Sequence, residues 1–128
     1  MKLLLDTHVF IWWADHPEKL SPAALSALKD EANELLLSVA SVWEMQIKIQ
    51  LGKLKLNLPL KDLIRNQQET NELTVLPVAL THVLALDALP FHHKDPFDRL
   101  LIAQGIIEDL TIVTADAEFS TYPAKVLW

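Results

Sequence analysis

Short, wholly apolar runs alternate along this chain with longer segments of helical periodicity. Leu3-Leu4-Leu5, Leu35-Leu36-Leu37 and Thr111-Ile112-Val113 carry no polar alternation and are too brief for buried helices. That is the pattern of strands covered on both faces. The expected strands are Lys2–Leu5, Leu35–Val39, Leu73–Leu76, Thr111–Val113 and a short Lys125–Leu127. Between them the spacing predicts helices over Val9–Ala14, Ala23–Asp30, Ser41–Leu51, Leu60–Glu69, Leu80–Ala88 and Pro96–Glu108. Ser21-Pro22 offers an N-cap and a first-turn proline, and Asp95-Pro96 offers the same pair again. Gly52 fits the residue just past a helix end. Apolar strands alternating with helices indicate an α/β sandwich around a mainly parallel sheet.

Four acids stand out against this pattern. Asp6 closes the first strand, Asp116 follows the fourth, Glu44 lies just past the second, and Asp98 opens the apolar helix that begins near Pro96. In an open parallel sheet the strand C-terminal ends and the helix starts beyond them share one rim, where ligands bind. Carboxylates gathered there repel unless a cation lies between them, and a hard ion such as Mg²⁺ prefers oxygen ligands.

Composition narrows the options. At 128 residues with 51% hydrophobic positions, the chain reads as a single domain spanning residues 1–128 with one core. Eleven basic residues against 17 acidic ones give a net charge of −6, so general adhesion to nucleic acid is not expected. There is no cysteine, which removes disulfides and thiolate chemistry and suits the cytoplasm. Asp6 interrupts the N-terminal apolar run too early for a signal peptide, and no apolar stretch is long enough to span a bilayer. No membrane role is expected.

Each acid also has a plain structural explanation. Asp6 can cap the helix that follows it, and Asp116 can be a turn aspartate. Ser41 and Glu44 have capping-box spacing, and Glu44 stands four residues before Lys48. Asp95 is read mainly as a cap. Asp98 is read mainly as chemistry, because a carboxylate at the mouth of a buried helix is costly without a partner. Thr114 could orient a carboxylate. The coincidence of all four on one rim carries the inference, not any one of them.

Three stretches resemble PIN-domain ribonucleases, and in particular the VapC-like toxins of bacterial toxin–antitoxin pairs. They are Leu4-Leu5-Asp6-Thr7-His8, Ser38 through Glu44, and His92-His93-Lys94-Asp95-Pro96-Phe97-Asp98-Arg99 with the Leu100–Gln104 segment after it. Thr114-Ala115-Asp116 with Phe119 resembles the family's last motif. The resemblance implies a three-layer α/β/α sandwich with a central, mainly parallel sheet of about five strands. It also implies a metal-dependent endoribonuclease whose catalytic acids are Asp6, Glu44, Asp98 and Asp116, with Asp95 accessory. Asp6, Asp98 and Asp116 would hold Mg²⁺ or Mn²⁺, and Glu44 would be a further ligand or the group that positions water. Thr114 and Arg99 are accessory, with Arg99, Lys48 and Lys94 candidates for phosphate contact. The implied partners are an RNA substrate, a cognate antitoxin and a second copy of the chain in a homodimer. His8, His92 and His93 are zinc ligands by type, but hard oxygen donors dominate the site, so they are expected in secondary or structural roles. Trp12, Trp13 and Trp43 are expected in core or interface, with base stacking by one of them the less favoured alternative.

Two other classes fit less well. A haloacid-dehalogenase-like phosphohydrolase needs a second acid two residues after Asp6, where His8 stands. A receiver-like signalling module needs adjacent acids after the first strand, and Thr7 occupies that place.

Overall fold

The computed structural model describes residues 1–128. Five strands, β1 (Lys2–Leu5), β2 (Glu34–Ser38), β3 (Thr74–Leu76), β4 (Thr111–Val113) and β5 (Lys125–Leu127), form one sheet. Every pairing in it is parallel, in the order β3-β2-β1-β4-β5. Six helices accompany it: α1 (Thr7–Asp15), α2 (Pro22–Lys29), α3 (Val39–Gln50), α4 (Leu60–Asn71), α5 (Leu80–Ala85) and α6 (Pro96–Ile107). The expected strands are all present.

The period-2 geometry of a strand explains how three consecutive leucines are all buried. Leu3, Leu5, Leu35, Leu37 and Val113 point to one face, where Val9 and Phe10 of α1, Ala24 and Leu28 of α2, Met45 of α3 and Leu63 of α4 meet them. Leu4, Leu36 and Ile112 point to the other face, against Leu101 and Ile102 of α6 with Phe119 and Tyr122. Two cores back to back on one sheet make the three-layer sandwich. Gly105 lets α6 lie close on β4, since a Cβ there would come within 2.8 Å of Ile112 Cδ1.

The chain runs outward from β1 through β2 to β3, then returns to add β4 and β5 on the other side of β1. The order therefore reverses between β1 and β4, and in open α/β sheets the ligand-binding crevice lies beyond the C-terminal ends of the strands at such a reversal. Asp6 and Thr114 are the residues immediately past those ends. A cleft lined by Asp30, Glu31, Asn33, Glu34 and Glu72 opens where β2 begins, away from that crevice. No helix is long and apolar enough to cross a membrane.

Helix starts and stops are set locally. Ser21 Oγ accepts the Ala24 amide as the expected N-cap of α2. After α3, Gly52 adopts φ +72°, with Gly52 N–H donating to Ile49 O at 3.0 Å and Lys53 N–H to Lys48 O at 2.8 Å. This is a Schellman ending, for which a residue without Cβ is suited. The expected capping box of Ser41 and Glu44 is not formed. Helix α3 begins at Val39, and Ser38, the last residue of β2, supplies the cap by accepting the Ala40 amide at 3.1 Å. Strand passes into helix with no loop between, which leaves Ser41 and Glu44 in the helix interior, both buried.

A carboxylate cluster at the sheet switch point

Asp6 stands at the N-cap position of α1, but its side chain makes no capping bond. Its Oδ2 instead accepts from Thr114 Oγ1 at 2.8 Å, across the gap between β1 and β4. Thr114 Oγ1 in turn accepts the Asp116 amide at 3.1 Å, so one threonine hydroxyl couples the two aspartates on either side of the switch point. The accessory place given to Thr114 has this geometric basis.

Glu44 is also reached from β1's end. Thr7 Oγ1, one residue past Asp6, donates to Glu44 Oε1 at 2.7 Å, and Lys48 Nζ lies 3.1 Å from Glu44 Oε2. Lys48 is thereby committed within its own helix, one turn away, rather than held out for a phosphate.

Asp95 is the cap it was expected to be. Its Oδ1 accepts the amides of Phe97 at 2.8 Å and Asp98 at 3.1 Å. That frees the Asp98 carboxylate to turn toward Asp116, with which it shares a neighbour absent from the expected set. His93 Nε2 is 2.9 Å from Asp116 Oδ2 and 3.1 Å from Asp98 Oδ2. His93 Nδ1 accepts the Asp95 amide at 3.2 Å, which places the ring proton on Nε2, facing the two carboxylates. Ligand atoms of His93, Asp98 and Asp116 all lie within 4.8 Å of one another. Asp6 and Glu44 stand beside this group, not inside it. Asp116 also caps the short 3-10 helix Ala117–Thr121 by accepting the Glu118 amide.

The electrostatics match the crowding. Burial pushes the Asp98 carboxyl up to about 7, and the negative charges of Asp6, Asp95 and Glu44 add to it while His93 opposes. Burial also raises Asp6; Glu44 adds to this, against the Thr114 bond and His8. Burial disfavours the His93 cation, but the Asp116 bond and the charges of Asp98, Asp116 and Glu118 together outweigh it and raise His93. A raised acid and a raised histidine act on stability with the same sign. The folded state holds protons that the unfolded chain has released, so stability falls as pH climbs through the window. For Asp98 that window runs from 3.8 to about 7. Without divalent ions the protein should therefore lose stability between about pH 4 and pH 7, on the order of 1–2 kcal/mol once partial solvation of Asp98 is allowed for. Thermal melts in EDTA across that range check this; a melting point that climbs toward neutral pH contradicts it.

Arg99 corrects a second expectation. It is buried, with Nη1 donating to Pro90 O at 2.8 Å and to the Tyr122 hydroxyl at 3.4 Å. Its Nη2 donates to Leu86 O and Leu89 O, both at 3.2 Å, and the guanidinium sits 4.2 Å from the Phe91 ring centre. Its donors are spent inside the protein, so it is a loop clamp and not a phosphate contact. Of the other histidines, His8 is exposed beside Trp12, and His92 is exposed with its ring edge-on to Tyr122. Of the tryptophans expected in core or interface, Trp12 and Trp13 are half-buried against the first core, and Trp43 is 63% exposed and so outside the core.

A family model for the PIN domain matches residues 3–125. The chain belongs to the PIN domain family. Over 122 residues it is 30% identical to ribonuclease VapC22 of Mycobacterium tuberculosis, covering 94% of this chain and 91% of that protein. The fold of this PIN domain is shared with a chain of the VapBC2 structure from Rickettsia felis, bound to a DNA fragment from the promoter, with a TM-score of 0.75 at 16% identity. That match covers 99% of this chain and 98% of the other. A chain of the FitAcB structure from Neisseria gonorrhoeae matches with a TM-score of 0.66 at 19% identity, covering 98% and 96%. The five-stranded parallel sheet is thus the family's sheet, and the carboxylate cluster lies at its switch point.

Proposed function

We propose that this PIN domain is a metal-dependent endoribonuclease and the toxin of a toxin–antitoxin pair. The observation that carries the reading is the meeting of Asp98 and Asp116 beside Asp6 and Glu44, with the Asp98 carboxyl pushed up to about 7 by burial and by its acidic neighbours. Such crowding is costly in isolation and is relieved by a divalent cation. The donor set is dominated by carboxylate oxygen, which fits Mg²⁺, with Mn²⁺ as the alternative that tolerates the imidazole of His93. Asp98 and Asp116 would be its first ligands and Asp6 the next. An ion held there supplies Lewis-acid activation of water and neutralises charge on the scissile phosphate.

The protein's own groups divide the remaining work. Thr114 fixes the rotamer of Asp6 and ties it to the backbone of Asp116. Thr7 and Lys48 engage one oxygen each of Glu44, holding that carboxylate where it can orient a water's proton. Asp95 keeps the first turn of α6 closed so that Asp98 faces inward. The Nε2–H of His93 draws Asp98 and Asp116 together, and a bound cation would compete with it for those oxygens.

The ribonuclease name of the relative from Mycobacterium tuberculosis supports RNA as the substrate. The antitoxin partner is supported by neighbours described as toxin–antitoxin complexes, including one from Klebsiella pneumoniae. Leu80, Val83 and Leu84 form an exposed apolar stripe on α5, suited to a protein contact such as a homodimer. The test is incubation of the purified chain with single-stranded RNA. Cleavage should appear with Mg²⁺ or Mn²⁺ and stop with EDTA; cleavage that persists in EDTA removes the metal from the reading. Sedimentation as a monomer at micromolar concentration would remove the homodimer.

A further inference from the structure

Trp43 is a large aromatic side chain left 63% exposed on a helix that buries Ala40, Ser41, Glu44 and Met45. Its ring is not loose. It meets Phe97 edge-to-face, with centroids 5.4 Å apart and planes at 74°, a favoured aromatic geometry. The pair joins α3 to α6, and each member immediately precedes an acid of the cluster: Trp43 before Glu44, Phe97 before Asp98. Each ring is thus one residue along the chain from an acid of the cluster, and their contact ties α3 to α6 at that point.

Beyond a bound cation, the chain's own side chains supply little positive charge to grip a polyanion at this site. The chain carries −6 overall. Near the acids, Lys48 is paired with Glu44 and Arg99 is buried in its loop, which leaves Lys94 as the exposed cation of the motif. A strand that is held without many phosphate contacts must be held by its bases, and stacking on an aromatic face serves any sequence because every base presents a π surface.

We propose that Trp43, braced by Phe97, is a stacking site for one unpaired nucleobase of an RNA strand whose phosphate lies at the acid cluster. This rests on the ribonuclease reading above. It requires a base outside a duplex, because within a duplex both faces of each base are covered by stacked neighbours. It also adds a component of affinity that salt does not weaken, because stacking releases no counterions.

The experiment measures binding of a single-stranded RNA of about eight nucleotides, within the range such sites cover, with Ca²⁺ in place of Mg²⁺ and the strand verified intact. An abasic strand of equal length is the comparison. Trp43→Ala should weaken binding of the base-bearing strand roughly 5- to 150-fold, the range set by one stacked base. The loss should be equal at low and high salt, Trp43→Phe should restore most of the affinity, and Trp43→Leu should not. Divalent-ion affinity by calorimetry should be unchanged in all three variants. Equal affinity of wild-type protein for the base-bearing and abasic strands overturns the stacking site and leaves the nuclease reading standing. Binding of neither strand removes RNA as the ligand, and the stacking site with it. A Trp43→Ala protein that changes its sedimentation but not its RNA affinity shows the ring to be a contact between protein chains and overturns the proposal.

Discussion

The Asp98→Asn variant is expected to fold normally and to lose metal-dependent RNA cleavage by more than ~10²-fold, the loss typical of merely disturbing a ligand's partner. Asparagine preserves the shape of the side chain and removes the charge that a cation would use. The backbone amide of Asp98 still donates to Asp95, so the start of α6 is retained. In EDTA near neutral pH the variant should melt higher than the wild-type protein, since the carboxyl pushed up to about 7 by burial and by Asp6 and Asp95 no longer has to ionise. With Mg²⁺ the order should reverse, because only the wild-type site gains the stability that ligand binding confers, ~2.7 kcal/mol at a hundredfold excess over the dissociation constant. This crossing of melting points separates a metal ligand from a residue serving the helix dipole. A dipole role predicts a loss of ~0.3–1 kcal/mol in both conditions and retained cleavage. A fully active Asp98→Asn protein would take Asp98 out of the site.

The sheet was legible because its strands are covered on both faces, so an unbroken run such as Leu35-Leu36-Leu37 has only one comfortable home. The rim was legible for the same reason: in a parallel sheet, the residue after each strand lies at one edge, and Asp6 and Asp116 follow β1 and β4. The helix caps were read correctly where a single polar residue preceded the helix, as at Ser21 and Asp95. They were misread where two serines stood three apart. Ser38 and Ser41 both suit a cap, and the choice depends on where β2 stops, which its register with β3 fixes through the pairing of Ser38 with Leu76. Tertiary structure decides that, and local pattern does not.

The residues that escaped sequence reasoning share one property. Their partners are far away in the chain. His93 enters the cluster through Asp116, 23 residues on, and its own amide donates to the Tyr122 hydroxyl at 2.8 Å. Thr7 reaches Glu44 across 37 residues. For Trp43 the sequence allowed core or interface without choosing, and the structure excludes the core, since the helix turns that face outward toward Phe97. The one signal available for His93 was its place two residues before a capping aspartate, in a stretch that must bend sharply to enter α6.

Arg99→Ala is expected to be the most destabilising single change in the site region and to disable the site without touching an acid. The guanidinium holds Leu86 O, Leu89 O and Pro90 O, along with the Tyr122 hydroxyl, which itself donates to Pro90 O at 2.7 Å. Bonds from a charged donor contribute ~1.5–3 kcal/mol each, but the freed carbonyls lie in a surface loop where water can replace part of the loss. A net cost of ~3 kcal/mol and a melting point lower by roughly 10 °C are therefore expected. Lysine should recover little of this, because one ammonium cannot reproduce the planar fork that serves four acceptors. Tyr122 also receives the His93 amide, so releasing this clamp frees the segment that carries His93 and leads to Asp95. Cleavage should fall together with stability, and Tyr122→Phe, which deletes one hydroxyl, should show a smaller version of both effects. If Arg99 were instead a phosphate contact, alanine would leave the melting point unchanged, weaken RNA binding and flatten its salt dependence by about one unit of slope. Melting curves and a salt titration on the same protein tell the two apart, and an unchanged melting point would refute the clamp.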